Sequence, residues 1–600
     1  MSVDFQKEKK ETNNNVNLIV ATVLAILAVF VFDYFFPTPE MPETKTAAVQ
    51  GQDKKAAVPA ADEAVVPSLQ SMTTAPEATA ATPVSREAKI AEDRRIKISN
   101  AKVSGSLRLK GARFDDISLN LYRETLNPDS PHIVLFSPAG TQNPYFAEFG
   151  WTSVEPALPL PDKNTPWQTS STELTPEKPL VLTWDNGKGL HFTRTISVDN
   201  DYMFTVTDKV TNTGAKEVTL NSYGLISRTG APEEENNFSY ISFDGLLGVM
   251  QNTLEEIRYA DLMEEKQESF TTNDGGWLGI TDKYWLSALV FDQKAKDVNT
   301  KFSYHNLNRK DVFQADYLLP TLSLASGETL ESTNRLFVGA KEINALDAYA
   351  EEYNIPRFDL AIDFGWYYFL TKPFLYILDF LNAFLGNMGL AILVFAFLLR
   401  VLVFPIANKS YVSMHKMKLL QPKIKELTER YKDNRQKLSQ EMMALYKKEK
   451  VNPASGCLPA LIQIPIFFSL YKVLYIAIEL RQAPFYGWIH DLSMPDPTSI
   501  FTLCGLINWP VPGFLDIGVW PLIMGITMYI QFKLNPQPAD KTQAMVFAWL
   551  PVIFTFMLAH FASGLVIYWA WSNILSIIQQ RVIIFRMDRK FKKTGKLSQI

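Results

Sequence analysis

A single arginine interrupts an apolar run at Phe395-Ala396-Phe397-Leu398-Leu399-Arg400-Val401-Leu402-Val403-Phe404-Pro405. In a helical membrane span, four residues from its end, Arg400 would lie about 6 Å inside. A guanidinium facing lipid costs about 2.5 to 3.5 kcal/mol even on the lenient insertion scale, so it must reach water, headgroups or a polar partner. Snorkelling to the headgroups meets that need as well as a functional contact does. Other apolar runs carry polar groups too: Gln463 and Lys472 in one, and Ser572, Asn573, Ser576, Gln579 and Gln580 in the last. At helical spacing Ser572, Ser576 and Gln579 share one face, with Asn573 and Gln580 beside it. Bonding between helices accounts for one or two such residues. Several of them together with an arginine fit a hydrated groove better.

Other chemistry is missing from the sequence. There is no G-x-x-x-x-G-K-[ST] loop, no H-E-x-x-H, and no Cys/His cluster at ligand spacing among six histidines and two cysteines. We therefore expect no catalytic residues, no metal and no cofactor: a protein that is not an enzyme. The two cysteines, Cys457 and Cys504, fall on opposite sides of the bilayer in the topology below, which argues against a disulfide.

The elements that must position these groups emerge from an uneven hydropathy pattern. The net charge is −4 over 600 residues, yet long uncharged apolar stretches are confined to residues 1–36 and 387–585. The sequence divides into an N-terminal transmembrane anchor (1–36), a flexible tether (37–89), a water-soluble β-domain (90–357), an interfacial amphipathic helix (358–386), a five-span core (387–585) and a basic tail (586–600). The anchor is expected to remain uncleaved, because Asp33-Tyr34-Phe35-Phe36-Pro37 offers no small-x-small site. The tether is rich in Ala, Pro, Thr and Glu and too poor in apolar surface to order. In the β-domain, alternating runs such as Ile117-Ser118-Leu119-Asn120-Leu121-Tyr122 and Leu180-Val181-Leu182-Thr183-Trp184 are separated by turn signals at Asp185-Asn186-Gly187, Asn212-Thr213-Gly214 and Asn273-Asp274-Gly275-Gly276. That pattern predicts a large, mostly antiparallel sandwich. Phe364, Trp366, Tyr367, Tyr368 and Phe369 among Asp359, Asp363, Lys372 and Asp379 suit a helix at the headgroup level, or a plain linking helix.

Five spans are expected at about 387–404, 457–478, 517–534, 544–561 and 564–585. With the anchor they make six, so both termini share a side. Residues 405–456 hold twelve Lys/Arg against five Asp/Glu, and residues 581–600 hold seven against one, whereas 479–516 holds Arg481 against four acids. The positive-inside rule places the basic loop, the tail and both termini in the cytoplasm and the β-domain across the membrane. In the basic loop Met414, Met417, Leu420, Ile424, Leu427 and Tyr431, then Leu438, Met442 and Leu445, recur at helical steps. We expect a helical hairpin over 408–450 with a narrow apolar seam. Its charged faces are simply solvated, or they meet anionic lipid, the ribosome or a targeting receptor. Lys418, Lys423, Lys425, Arg430 and Arg435 are the candidate contacts. Nothing points to sequence-specific nucleic acid binding.

The words Met417-Lys418-Leu419-Leu420-Gln421-Pro422-Lys423-Ile424, Gln440-Glu441-Met442-Met443-Ala444-Leu445-Tyr446-Lys447 and Leu461-Ile462-Gln463-Ile464-Pro465-Ile466-Phe467 closely resemble the signature of the YidC/Oxa/Alb family of membrane insertases. Glu479-Leu480-Arg481-Gln482-Ala483-Pro484-Phe485, Trp488-Ile489-His490-Asp491-Leu492 and Ser563-Gly564-Leu565-Val566-Ile567-Tyr568 extend the likeness across about 360–590. The anchor, tether and β-domain match the Gram-negative layout.

This resemblance implies a supersandwich-like periplasmic domain and an inner-membrane insertase and chaperone for nascent membrane proteins, working alone or with the Sec translocon. It also implies a groove open to cytoplasm and lipid, lined by Arg400, Gln463, Ile464, Phe467, Tyr568, Trp569, Ser572 and Ser576. There Arg400 would hold a hydrophilic tail while the apolar segment slides into lipid. Ala396, Ile464, Lys472 and Ala562 depart from residues that some relatives carry. A small-anion or solute transporter using Arg400 is the main competing reading, although no inverted repeat supports it. A membrane-tethered carbohydrate enzyme is another, although no motif marks a catalytic carboxylate pair.

Overall fold

The structure, a computed structural model, describes residues 84–155, 157–232, 242–432, 434–449, 451–452, 458–503, 506–507, 509, 511–535 and 541–594. The expected N-terminal anchor, the tether as far as residue 83 and both cysteines lie outside the described residues.

The expectation of a large β-sandwich is met. An eleven-stranded sheet runs from Gln267–Thr272 through Val298–Leu307, Lys310–Leu318, Val218–Thr229, Tyr145–Thr152, Arg113–Arg123, Val103–Arg108 and Arg95–Ser99 to Glu173–Leu174, with Leu322–Leu324 and His132–Phe136 paired beside this path. An eight-stranded sheet runs from Thr253–Arg258 through Gly245–Met250, Gly276–Thr281, Trp285–Val290, Thr329–Ala340, Met203–Asn212 and Leu190–Val198 to Leu180–Asp185. Pairing is antiparallel except between Arg95–Ser99 and Glu173–Leu174. The Asp185-Asn186-Gly187 signal closes a hairpin in register Leu180↔Ile196, with Gly187 at φ +68°. Asn212-Thr213-Gly214 and Asn273-Asp274-Gly275-Gly276 instead carry the chain from one sheet to the other. Aromatic side chains such as Phe114 and Phe204 fill the space between the sheets, while Trp277 packs edge-on against Phe358 on the other face of the eight-stranded sheet. The buried pair of Arg194 with Asp208 (2.7 and 2.9 Å) also ties the sheets together, because Arg194 Nη2 donates to Phe149 O on the opposite sheet at 2.8 Å.

Three short helices belong to this domain: α1 (Arg86–Ala91), α2 (Tyr259–Glu265) and α3 (Ile343–Tyr353). Ser85 caps α1 by accepting from Ala88 N, and Arg86 pairs with Asp116 of the eleven-stranded sheet. The stretch 358–385, read from the sequence as one surface helix, is divided. Phe358–Ala361 is a 3-10 turn whose side chains are buried, Phe364 is buried as well, and α4 (Tyr368–Leu385) starts only after them. Asp359 and Asp363 are spent on holding this junction: Asp359 Oδ2 accepts from Lys372 Nζ at 2.7 Å and Asp363 Oδ1 from Gly365 N at 3.0 Å. α4 is amphipathic all the same. Thr371, Phe374, Leu375, Leu378 and Leu381 are buried, while Phe369, Phe380 and Phe384 are exposed.

Helices α5 (Met388–Leu402), α6 (Phe404–Arg430), α7 (Arg435–Lys448), α8 (Leu458–Ile476), α9 (Val519–Leu534), α10 (Lys541–Leu558) and α11 (Ser563–Thr594) complete the chain. Among the described residues no single helix is long and apolar enough by itself to cross a membrane, and α5 with α6, bent by 68°, meet that requirement together. Pro405 explains the bend: it lacks an N–H and is favoured in a first turn, so it begins α6 rather than prolonging α5. A continuous buried apolar cluster runs from the sandwich through Phe358–Phe364 into α4, α5, α8 and α11.

α6 and α7 form a helical hairpin whose seam is Met417, Leu420, Ile424, Met442, Leu445 and Tyr446, closed by Val451. Met414, read as part of that seam, packs instead with Ala407 and Tyr411 against Ile583 and Met587 of α11. α6 is one helix of 27 residues, so its first half still lies beside α11. His415 Nε2 and Asp588 Oδ1, 2.9 Å apart, fasten the same contact.

Candidate functional site

The candidate groove residues come from α5, α8 and α11. Asn387 caps α5 by accepting from Leu390 N, and Pro405 sets the helix end, which puts Arg400 in the last turn. That is a favourable end for a cation, since unpaired carbonyls accumulate there. Arg400 Nη2 donates to Ser572 Oγ at 2.7 Å and to Ser572 O at 3.1 Å on α11. Ser576 Oγ donates to the same carbonyl at 2.8 Å, the i−4 back-bond that a serine makes within a helix. The Ser572 carbonyl therefore bonds both side chains. One turn earlier on this face, Tyr568 OH accepts from Gln463 Nε2 of α8 at 3.1 Å. Phe467, one turn further along α8, packs on Trp569 with ring centroids 4.6 Å apart.

The structure thus gathers Arg400, Gln463, Phe467, Tyr568, Trp569, Ser572 and Ser576 where three helices meet. Ile464 is on the same stretch of α8 but is 49% exposed and turned outward with Phe468. Arg400 is half-buried, and no described residue accepts from its remaining guanidinium nitrogens. Gln579, two turns beyond Ser572, is 8% exposed, and neither its Oε1 nor its Nε2 is hydrogen-bonded to a described residue.

The remaining polar residues do other work. Asn573 Nδ2 donates to Thr527 Oγ1 at 3.2 Å and Gln580 Nε2 to Asn535 Oδ1 at 3.0 Å, so this side of α11 is bonded to α9 and its end. Trp571 Nε1 donates to Leu393 O at 3.2 Å, fastening α11 to α5 beside Arg400. The loop after α8 is fastened to the start of α11: Ser563 N donates to Met494 O at 2.7 Å and Gly564 N to Leu492 O at 3.0 Å. Lys472, the lysine within the apolar run of α8, has a fixed partner, Asp363, at 2.6 Å. The sequence could not have paired these residues, because neither their separation nor their type sets them apart from other charges.

Of the hairpin candidates, Lys418, Lys423, Lys425 and Arg430 are exposed. Lys423 reaches Glu449 at 3.2 Å and Arg430 reaches Glu426 at 2.8 Å. The side chain of Arg435 lies outside the described residues. Exposed pairs of this kind contribute little to stability, so the charges remain available to partners.

Comparisons with known proteins agree along the chain. The family model described as YidC periplasmic domain matches residues 95–377, and the 60Kd inner membrane protein model matches residues 380–590. The membrane protein insertase YidC of Methylobacterium radiotolerans is 46% identical over 591 residues, covering 96% of this chain and 95% of that one. The membrane protein insertase YidC of Brucella suis biovar 1 is 50% identical over 515 residues, covering 86% of this chain and 84% of that one. A crystal structure of an active YidC insertase with its first transmembrane domain resolved aligns with TM-score 0.34 at 18% identity, covering 81% of this chain and 92% of that one. With two domain models matched in order and such identity over nearly the whole length, this chain belongs to the YidC family of membrane protein insertases.

Proposed function

We propose that this protein inserts and folds nascent integral membrane proteins, alone or beside the Sec translocon, through a groove lined by Arg400, Gln463, Phe467, Tyr568, Trp569, Ser572 and Ser576. The observation that carries the reading is Arg400 held across helices by Ser572, with its other donors unclaimed by any described residue. A cation fixed in a partly buried, polar row lowers the cost of bringing a hydrophilic or acidic tail into the bilayer, because charge attraction strengthens as the local dielectric falls. The apolar part of the substrate then meets Phe467, Trp569 and the outward-facing Ile464 and Phe468, and passes into lipid along α8 and α11. No nucleotide is needed for this step.

The same reading gives six spans in the inner membrane, the β-domain in the periplasm, and the α6–α7 hairpin and both termini in the cytoplasm, supported by the charge bias of the loops. The bend after α5 would then mark the cytoplasmic surface, where the hairpin leaves the bilayer to present Lys418, Lys423, Lys425, Arg430 and Arg435 to lipid headgroups, the ribosome or a targeting receptor.

The test is depletion of the protein with insertion of a short single-span substrate followed by protease protection. Rescue by wild type and not by Arg400→Ala supports the reading. Rescue by Arg400→Ala as well as by wild type removes Arg400 from it, and no effect of depletion on insertion would favour solute transport instead.

A further inference from the structure

One feature outside the groove joins it to the β-domain. Lys472 is nine residues after Gln463 on α8, about 13 Å along the helix. Its Nζ lies 2.6 Å from Asp363 Oδ2, and the two side chains are 16% and 24% exposed. Asp363 is itself fixed twice by backbone: Oδ2 accepts from Phe243 N at 3.0 Å and Oδ1 from Gly365 N at 3.0 Å. Phe243 leads into strand Gly245–Met250, so the carboxylate ties α8 to the eight-stranded sheet. Contacts on either side continue the joint. Lys283 Nζ lies 3.6 Å from the ring centroid of Tyr475, and Arg481 Nη2 and Gln482 Nε2 both donate to Arg123 O, at 2.7 and 3.0 Å.

We infer that Lys472 is a positioning residue: its ion pair with Asp363 fixes the end of α8 against the β-domain, and through α8 sets the place of Gln463 and Phe467 opposite α11. This inference rests on the groove reading above. A snorkelling lysine would turn to mobile headgroups and leave α8 free to tilt. Here the ammonium is aimed at a carboxylate that two N–H groups already hold, so the helix inherits the rigidity of the sheet. Glu256 of strand Thr253–Arg258 and Lys341, just after strand Thr329–Ala340, also act electrostatically on both members of this pair, with Lys283 at the joint and Asp359 with Lys372 in the adjoining segment, but the carboxylate in direct ion-pair contact with Lys472 is that of Asp363.

The test uses the full chain in proteoliposomes with spin labels at the exposed Leu121 of the β-domain and Leu461 of α8. Lys472→Met keeps the length and removes the charge, Lys472→Arg keeps the charge, and Asp363→Asn attacks the pair from its other side. We expect Lys472→Met and Asp363→Asn to broaden the label-to-label distance distribution and to slow substrate insertion about tenfold, as for a weakened, partly buried pair. Lys472→Arg should restore both to near the wild-type values. An unchanged distance distribution in Lys472→Met overturns the inference, as does slowed insertion without broadening or broadening without slowed insertion. Failure of the wild type to insert above empty liposomes would strike the groove reading instead, and the distance measurement would still judge the joint.

Discussion

Replacing Arg400 by alanine should slow insertion of a substrate with an acidic tail far more than one with a neutral tail. Arg400 uses Nη2 for Ser572, at 2.7 Å to the hydroxyl and 3.1 Å to the carbonyl, which leaves its other donors for an incoming carboxylate. A hydrogen bond to a charged group contributes about 1.5 to 3 kcal/mol net. At about 1.4 kcal/mol per factor of ten, losing it corresponds to about 10- to 150-fold for the acidic tail. A neutral tail has only ordinary hydrogen bonds to lose, at about 1 kcal/mol or roughly fivefold. Arg400→Lys keeps the charge but not the fork that holds Ser572 and a ligand together, so it should fall between wild type and alanine. The assay is protease protection over time with purified full-length protein in liposomes, using one substrate and its Asp→Asn, Glu→Gln tail variant. Equal slowing of the two tails, or less than about a twofold effect on the acidic one, would refute the charge-holding role, because the structure gives Arg400 no other reason to discriminate between them.

Ser572→Ala removes the shorter of the two bonds to Arg400 and keeps the carbonyl, so insertion of the acidic-tailed substrate should drop by about fivefold, less than in Arg400→Ala. Asn573→Leu breaks the bond to Thr527 and should lower the thermal stability of the detergent-solubilised protein by about 0.6 to 1.7 kcal/mol while leaving the dependence on tail charge intact. Gly525 on α9 faces Thr555 Oγ1 of α10, which stands where a Cβ would clash; Gly525→Leu should therefore force these helices apart and lower the melting temperature more than Asn573→Leu does. In the β-domain, burial pushes the Asp316 carboxyl up to about 6, against the opposing pull of Lys301 and of the hydrogen bond from Gln314. A raised carboxyl binds its proton more tightly in the folded state. Its favourable contribution is therefore complete below about pH 4 and is lost as pH rises through 6, on the order of 3 kcal/mol in all. Asp316→Asn should flatten that part of the melting profile measured between pH 4 and 8, and an unchanged slope would show that Asp316 does not titrate in this range.

Much of this architecture follows from local pattern. Alternating residues with Gly-containing turns make strands wherever one face is buried, and the apolar steps of α6 and α7 make a hairpin with a narrow seam. The polar row on α11 and the position of Arg400 follow from helical spacing alone, since 3.6 residues per turn puts Ser572 and Ser576 on one face without any tertiary information. Period and composition could not say which neighbour each polar group meets. Asn573 and Ser572 are adjacent in sequence, yet one bonds to Thr527 on α9 and the other to Arg400 on α5, because neighbouring residues on a helix point about 100° apart toward different partners. Lys472 and Met414 show the same limit. A lysine in an apolar run suggests a route to headgroups, and a methionine in an apolar stripe suggests the nearest seam. Asp363, 109 residues away, and the flank of α11 claim them instead. Sequence by itself determined which residues of a helix share a face, where several turns close, and that a cation would sit within an apolar run. Only the tertiary structure decided what each face touches, because pairing across helices and between the β-domain and α8 depends on burial and charge brought together from distant parts of the chain.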